Sequence, residues 1–341
     1  MDSDLLLLNG GKRKVTGTGG TDWWFGWIPD DPAKFAELGI TVEETDPNED
    51  VPQIQGDRVF LWPYVTAANG GVSPPRNWQL TGSCINGGGQ NAGIGCIASD
   101  SLFLGQIEKF FIPWTLTAYG YARFLLGDTR EGEGANNAYF SKALAEVGVG
   151  DALNDPNLPT PTILKCGPSS QVIVYTKQTE LTYSAWRNSS QSIVTNCRKH
   201  PVTLIRCKSA DDVELHLRRG RHITVAGDWG GATQAKVDGS GDDRILIQPM
   251  SRVQTWQHQQ SSDGLWRRKG QRLFRIQNQW YYKDGNGAVQ PMHGPAQIPG
   301  EPEGGSWYGE AMMDHQCRNG DVYALKGIAG IPEAMLDFSK I

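Results

Sequence analysis

Three widely separated segments carry side chains that together could form a thiol-dependent hydrolytic site. Residues 79–84 read Gln-Leu-Thr-Gly-Ser-Cys, residues 256–258 read Trp-Gln-His, and residues 278–280 read Asn-Gln-Trp. A cysteine is a good nucleophile only as the thiolate, so it needs a cationic partner and benefits from a helix N-terminus. A histidine supplies that cation, and later a proton, when a third group orients its ring. The combination predicts a thiol hydrolase.

A side-chain amide just before the cysteine can complete such a site. Together with the backbone N–H of the cysteine, it can donate to the negative oxygen that develops when a thiolate attacks a carbonyl. Gln79 stands five positions before Cys84, and glycines occupy positions 87–89. Each interior glycine costs a helix about 1 kcal/mol relative to alanine. We therefore expect a helix after the cysteine to be weakened or delayed.

The content and order of these segments resemble the papain-like cysteine peptidases. Residues 79–84 are similar to the Gln…Gly-Ser-Cys segment of that family, and residues 278–280 are similar to its Asn-Ser-Trp motif. The resemblance implies that Cys84 is the nucleophile, that His258 is its base, and that Asn278 orients the histidine.

The same resemblance implies that Gln79 helps to form the oxyanion hole and that Trp280 shields the hydrogen bond of the histidine. It implies neither a metal nor a cofactor. It extends over about residues 78–338, and the ending from 320 to 338 is similar to papain-like proteins of bacteriophages and environmental viral genomes. The implied fold is papain-like α+β, with a helix-rich first lobe, a β-rich second lobe and a cleft between them.

Two functions are compatible with this resemblance. The first is a cysteine peptidase or a related amide acyl-transfer enzyme that acts on a peptide or protein. The second is a structural virion protein in the tail or at the head–tail junction, with weak or no catalysis, because a fold does not fix a function. In both cases we expect other virion proteins as partners, and a location in a phage particle or in the host cytoplasm.

Composition argues against several other classes. The chain has 341 residues, enough for two lobes with buried cores, and a net charge of −5. An acidic chain is a poor match for nucleic acid, which binds basic surfaces. The apolar segment 102–126 contains charged residues and Pro113, so it predicts a buried helix broken at the proline and no membrane span. No signal-peptide pattern is present.

The remaining cysteines and histidines give weaker signals. Six cysteines without a Cys-x-x-Cys pair argue against a disulfide scaffold. Cys197, His200 and Cys207 offer three zinc ligands, but no fourth ligand stands at a useful spacing, so no metal site is predicted. His258 is favoured over the other histidines because it precedes the Asn278 segment by the length of a hairpin. His216 is predicted on an exposed helix.

The elements that must position these residues fall into three regions. Residues 1–70 are predicted to be an irregular arm rich in Trp, Gly and Pro, with aromatic anchors that pack on the body or on a partner. Residues 71–152 are predicted to form the helix-rich lobe that carries the cysteine. Residues 153–341 are predicted to form the β-rich lobe that carries the histidine and the asparagine.

Local patterns predict several individual elements. Apolar residues at helical spacing predict a helix over residues 135–147, and a strongly apolar stretch predicts a strand over residues 273–282. Ser209 begins a capping box, which predicts a helix that ends at Gly220.

Overall fold

The computed structural model describes residues 42–327 except 82–83, 105–110, 154, 168–169, 230–235, 242–243, 249–255 and 292–297, together with three two-residue strands before residue 42. Within this part of the chain there are eight α-helices: α1 Trp62–Ala68, α2 Cys84–Leu104, α3 Leu116–Leu125, α4 Asn137–Val147, α5 Lys177–Tyr183, α6 Gln191–Cys197, α7 Ala210–Arg218 and α8 Glu310–Asn319.

Short strands lie before, between and after these helices. The first eleven are β1 Val15–Thr16, β2 Asp22–Trp23, β3 Trp27–Ile28, β4 Glu43–Glu44, β5 Arg58–Phe60, β6 Arg76–Asn77, β7 Pro113–Trp114, β8 Ala135–Asn136, β9 Gly150–Asp151, β10 Thr162–Cys166 and β11 Ser170–Val174. The later ones are β12 Thr203–Arg206, β13 Ile223–Trp229, β14 Lys236–Asp238, β15 Ile245–Gln248, β16 Trp256–Arg268, β17 Gln271–Gln277, β18 Tyr281–Lys283, β19 Val289–Pro291, β20 Gly305–Gly309 and β21 Asp321–Lys326.

The largest sheet places the strand that carries His258 near its middle. Its strand order is β14-β15-β20-β17-β16-β13-β21-β12-β4, and β5 also pairs with β16. Strand β16 runs antiparallel to both β13 and β17. A second sheet has the order β18-β19-β10-β11-β6, and its strand β6 leads into the segment that carries Gln79.

Side-chain alternation gives each face of the large sheet its own core, because successive residues of a strand point to opposite faces. Leu204 and Tyr323 belong to the core that contains residues of α2, α3 and α4. Their neighbours Ile205 and Val322 belong to the core that contains residues of α7 and α8. The sheet is thus covered by helices on both faces.

Helix α2 begins at Cys84 itself, so the expectation of a delayed helix is wrong. A Cβ atom added at Gly88 would lie 2.8 Å from Gln259 Cγ and 3.1 Å from the carbonyl oxygen of Gln260. The glycine therefore lets the helix backbone pack directly on strand β16. Tertiary packing of this kind outweighs the poor intrinsic helix propensity of glycine.

Local signals predicted some elements correctly and others wrongly. Helix α4 is confirmed, and Ser209 caps α7 by accepting a hydrogen bond from Asp212 N, with Gly220 at φ +75° after the helix. The break predicted at Pro113 within residues 102–126 is confirmed: α2 ends at Leu104, β7 begins at Pro113 and pairs with β9, and the buried helix α3 begins at Leu116. The strand predicted over residues 273–282 is two strands, β17 and β18. No helix in the described ranges is long and apolar enough to cross a membrane.

The predicted arm contributes to the body of the fold. Strand β3 pairs in parallel with β8, and the part from residue 42 to 70 supplies β4, β5 and α1, with Val59 and Tyr64 fully buried. Residues 42–70 therefore contain regular, packed elements where the sequence predicts an irregular arm. The side chains of Trp23, Trp24 and Trp27 lie outside the described residues. The region boundaries at residues 70 and 152 stay predictions.

The close approach of α2 to β16 predicts that Gly88→Ala destabilises the protein. Although alanine favours a helix, its methyl group would lie only 2.8 Å from Gln259 Cγ and 3.1 Å from the Gln260 carbonyl oxygen, and overpacking typically costs about 1–3 kcal/mol. Gly285→Ala is the control, because a Cβ there has no atom within 4 Å. Urea unfolding followed by tryptophan fluorescence measures both changes. A more stable Gly88→Ala variant would contradict the packing described.

Candidate active site

Cys84 is the first residue of helix α2 and is 2% exposed. A helix N-terminus carries a partial positive charge, which favours a thiolate over a thiol. The backbone carbonyl of Cys84 accepts a hydrogen bond from Gln279 Nε2 at 3.3 Å. The fold therefore places the predicted nucleophile at the positive end of a buried helix and links it to the segment 278–280.

His258 lies on strand β16, which has β13 on one side and β17 on the other in the large sheet. Asn278 follows directly after β17. Both side chains are buried, and His258 Nε2 lies 3.1 Å from Asn278 Oδ1. The two residues are 20 positions apart, and the antiparallel pairing of β16 with β17 brings them together. The predicted pair of histidine and orienting asparagine is thus in hydrogen-bond contact.

The partners of Asn278 decide which nitrogen of His258 carries a proton. Asn278 Oδ1 also accepts a hydrogen bond from the backbone N–H of Trp280 at 3.2 Å, so the oxygen end of the amide faces these donors. His258 Nε2 must then donate to Oδ1. In the neutral imidazole, this assignment puts the lone pair on Nδ1.

The Trp280 ring covers this hydrogen bond. Its centroid lies 3.9 Å from that of the His258 ring, with an interplanar angle of 24°, and both side chains are buried. Stacking of this kind excludes water from the contact and stabilises a cationic imidazole through the face of the aromatic ring.

Gln79 lies against Gln279, in the segment 278–280. Its backbone N–H donates to the carbonyl of Gln279 at 3.0 Å, and its side-chain Nε2 donates to the carbonyl of Thr81 at 2.5 Å. Its Oε1 accepts from Gln279 Nε2 at 3.1 Å. The side chain predicted to line an oxyanion hole is therefore buried and held at both ends.

Sequence reasoning missed Gln279, which joins these segments. Its Nε2 lies 3.3 Å from the carbonyl of Cys84, 2.5 Å from the carbonyl of Gln259 and 3.1 Å from Gln79 Oε1. The side-chain amide of Gln279 therefore joins three segments of the chain, which carry Gln79, Cys84 and Gln259. The sequence offered no signal for this role beyond the position of Gln279 between Asn278 and Trp280.

A second missed residue is Glu180 of helix α5. Its carboxylate is buried and accepts hydrogen bonds from Thr81 Oγ1 at 2.6 Å and from Leu80 N at 3.3 Å. Burial raises the pKa of Glu180 to about 7, although these hydrogen bonds act to lower it. Glu180 therefore anchors the loop between Gln79 and Cys84. An acidic residue in an ordinary short helix gave no sequence signal of this contact.

Two other histidines occupy structural positions. His216, predicted on an exposed helix face, is fully buried, and it contacts Thr45 and Arg221. Burial and the charges of Arg221 and Arg219 lower the pKa of His216 to about 3. Burial also lowers the pKa of His222 to about 4. No three or more His, Cys, Asp or Glu residues in the described ranges are grouped so as to hold a metal ion.

The fold is similar to that of solved cysteine proteases. The structure matches xylellain, a cysteine protease from Xylella fastidiosa, with a TM-score of 0.53 and 18% sequence identity, over 92% of this chain and 98% of that one. It also matches the proform of the ragweed pollen cysteine protease Amb a 11, with a TM-score of 0.46 and 10% identity, over 88% of this chain and 75% of that one. Digestive procathepsin L 3 from Tenebrio molitor larvae matches with a TM-score of 0.43 and 10% identity, over 88% of this chain and 83% of that one.

No protein-family model and no curated protein sequence matches the chain. The similarity to xylellain, together with helices on both faces of a large sheet, confirms the expected papain-like α+β fold. An identity of 18% establishes the fold and leaves the chemistry to the residues of the site.

The buried carboxyl of Glu180 predicts a pH-dependent stability. Its folded-state pKa of about 7 lies above its usual value of 4.5, so the stability linked to its protonation is complete below about pH 4.5 and is lost as the pH rises through 7. Relative to wild type, Glu180→Gln should therefore gain free energy of unfolding as the pH rises from 5 to 8. Urea unfolding across this range measures the difference, with Glu131→Gln at an exposed position as the control. If the difference in free energy of unfolding between Glu180→Gln and wild type stayed constant from pH 5 to 8, the raised pKa of Glu180 would be contradicted.

Proposed function

We propose that the chain is a papain-like cysteine hydrolase that cleaves amide bonds in peptides or proteins. The observation that carries the proposal is the buried hydrogen bond between His258 Nε2 and Asn278 Oδ1 under the Trp280 ring. Gln279 links this pair to the helix that begins with Cys84. The similarity to xylellain, itself a cysteine protease, supports the same class of chemistry.

In the proposed acylation step, the thiolate of Cys84 attacks the carbonyl carbon of the substrate. The new C–S bond forms as the carbonyl electron pair moves onto oxygen, and the negative oxygen accepts hydrogen bonds from the Cys84 backbone N–H and from Gln79 Nε2. The electron pair on the oxygen then re-forms the carbonyl double bond, and the C–N bond breaks. His258 Nδ1 gives its proton to the leaving amine, so an acyl-enzyme and a free amine result.

The second step returns the thiol to its starting state. Water gives a proton to His258 Nδ1 while its oxygen attacks the acyl carbon. The C–S bond breaks, the thiolate is regenerated, and the product leaves as a carboxylic acid. Asn278 keeps the imidazole ring in one orientation through both transfers, because its oxygen accepts the Nε2 proton throughout.

Cys84 should be the most reactive of the six thiols. Burial raises the pKa of Cys166 and Cys197 to about 12 and also raises the pKa of Cys207 and Cys317, so these side chains remain protonated. Limiting iodoacetamide at about pH 6 should label Cys84 first, because ordinary thiols with a pKa near 8.5 are mostly protonated there. Peptide mapping by mass spectrometry reads the label. Equal labelling of the thiols would contradict a thiolate–imidazolium pair.

Peptide turnover should require the same thiol. Cys84→Ala is expected to abolish cleavage of a fluorogenic peptide library. Cys96→Ser, a change of another buried cysteine on the same helix, is the matched control and should retain cleavage. Cleavage that survives in Cys84→Ala would overturn the proposal.

Removal of the orienting amide should slow the reaction without abolishing folding. Asn278→Ala is expected to lower kcat by about 10²-fold, the scale of one general acid–base contribution, because the His258 ring loses its fixed orientation. Asn286→Ala, in an exposed turn, is the control. Steady-state kinetics with a fluorogenic peptide measure both variants. An unchanged kcat in Asn278→Ala would contradict the assigned role.

The association with a phage particle is a further part of the proposal. Its support is the phage-like ending from residue 320 to 338 and the Trp-rich segment 1–70. The alternative function, a structural virion component with weak or no catalysis, shares this association. The association is tested by mass spectrometry of phage particles produced from the genome that encodes the chain. Absence of the chain from these particles would contradict the association. Retention in particles together with unreactive Cys84 would favour the structural alternative.

A further inference from the structure

Gln279 is completely buried, and its side-chain amide donates into a space lined by oxygen atoms. The two N–H groups of Nε2 face three acceptors: the carbonyl of Gln259 at 2.5 Å, the side-chain Oε1 of Gln79 at 3.1 Å and, at the longest distance of 3.3 Å, the carbonyl of Cys84. The two carbonyl oxygens can only accept hydrogen bonds. The amino end of Gln279 is therefore fixed toward them, because a rotated amide would bring its own oxygen against these acceptors.

The orientation of Gln279 fixes that of Gln79. Because Gln279 Nε2 is a donor, the end of the Gln79 amide that it meets must be the oxygen, Oε1. The opposite end of the Gln79 amide meets the carbonyl of Thr81, which requires a donor and so selects Nε2. Both contacts select the same orientation of the Gln79 amide, which carries one further N–H on Nε2.

The surrounding residues hold this arrangement in place. A Cβ atom at Gly87 would lie 2.8 Å from Gln279 Cγ and 3.2 Å from Gln79 Oε1, so glycine at this position leaves the room that the two amides occupy. On the other side, the buried carboxylate of Glu180 accepts hydrogen bonds from Leu80 N and Thr81 Oγ1. The Thr81 carbonyl is thereby held where Gln79 Nε2 needs it.

We propose that Gln279 is a positioning residue, which sets the orientation of the Gln79 amide so that nitrogen, and not oxygen, is available to the negatively charged oxygen of the substrate. The inference rests on the proposed function, because an oxyanion develops only if Cys84 attacks a carbonyl. An oxyanion needs a donor already in place, whereas a rotated Gln79 amide would present an oxygen that repels it. Gln279 itself touches no reacting atom.

The test compares Gln279→Met with Gln259→Met. Methionine has a similar length and removes the amide, and Gln259 is the matched control because it is equally buried, it neighbours His258, and its side-chain amide makes no hydrogen bond with the described residues. We expect Gln279→Met to lower kcat of peptide hydrolysis by about 10²-fold, the scale of losing one oxyanion donor. The alkylation rate of Cys84 by iodoacetamide, which forms no oxyanion, should remain within twofold of wild type.

A double-mutant cycle separates positioning from general support of the fold. If Gln279 acts through Gln79, then Gln279→Met should cause no further loss of kcat in a Gln79→Ala background. Multiplicative losses, or an alkylation rate that falls together with kcat, would overturn the inference. So would an equal loss of kcat in Gln259→Met.

A second readout does not depend on turnover. In ¹⁵N-labelled full-length protein, the Gln79 Nε2 proton that is donated to the Thr81 carbonyl should exchange slowly with solvent, because it is buried and hydrogen-bonded and the amide oxygen is held by Gln279. Gln279→Met should accelerate this exchange at least tenfold, and Gln259→Met should not. Unchanged exchange in Gln279→Met overturns the inference even if the protein is inactive. An unreactive Cys84 with accelerated exchange would instead count against the proposed function alone.

Discussion

The contact of helix α2 with strand β16 is the constraint on which the rest of the site depends. Gly88 brings the helix backbone against Gln259 and Gln260, and Gly87 leaves space for the side chain of Gln279. A larger residue at either position would move the helix away from the strand. Glycine at positions 87 and 88 therefore lets the helix that begins with Cys84 pack directly on the strand that carries His258.

This contact buries many polar groups, and a buried polar group that lacks a hydrogen-bond partner costs stability. Around the site, side-chain amides supply hydrogen-bond partners, as the contact between Gln79 and Gln279 shows. Farther along β16, charged side chains pair with one another. Arg275 lies 2.6 Å from Asp263 and 2.7 Å from Glu301, and Asp263 stands where the pairing register of β16 with β17 shifts. Burial acts to raise the pKa of Asp263, but the charges of Arg275 and of a second buried arginine outweigh it and the pKa is lowered. Breaking one partner of such a buried pair is costly, so the cluster fixes the path of the strand beyond His258.

Sequence-based expectations held where neighbouring residues decide the structure. The cap at Ser209 and the amphipathic pattern of α4 depend on side chains within one or two turns of each other. They failed where distant residues decide it. Glycines 87–89 predict a weak helix from propensity alone, but the partner that stabilises that helix, β16, lies about 170 positions later in the chain. Residues 42–70 likewise look irregular until their pairing partners β12 and β16 are known.

The candidate site divides in the same way. The resemblance of the segments that carry Gln79, Cys84, His258, Asn278 and Trp280 to papain-like cysteine peptidases predicted the fold, which the similarity to xylellain confirms. The residue types alone predicted a thiol hydrolase, because a thiol, an imidazole and an orienting amide together can activate a nucleophile. Only the tertiary structure shows that His258 donates through Nε2, that Glu180 anchors the loop before Cys84, and that Gln279 joins three segments. Hydrogen-bond direction and burial depend on which acceptors the fold brings within about 3 Å, and no local pattern in the sequence encodes contacts between residues so far apart.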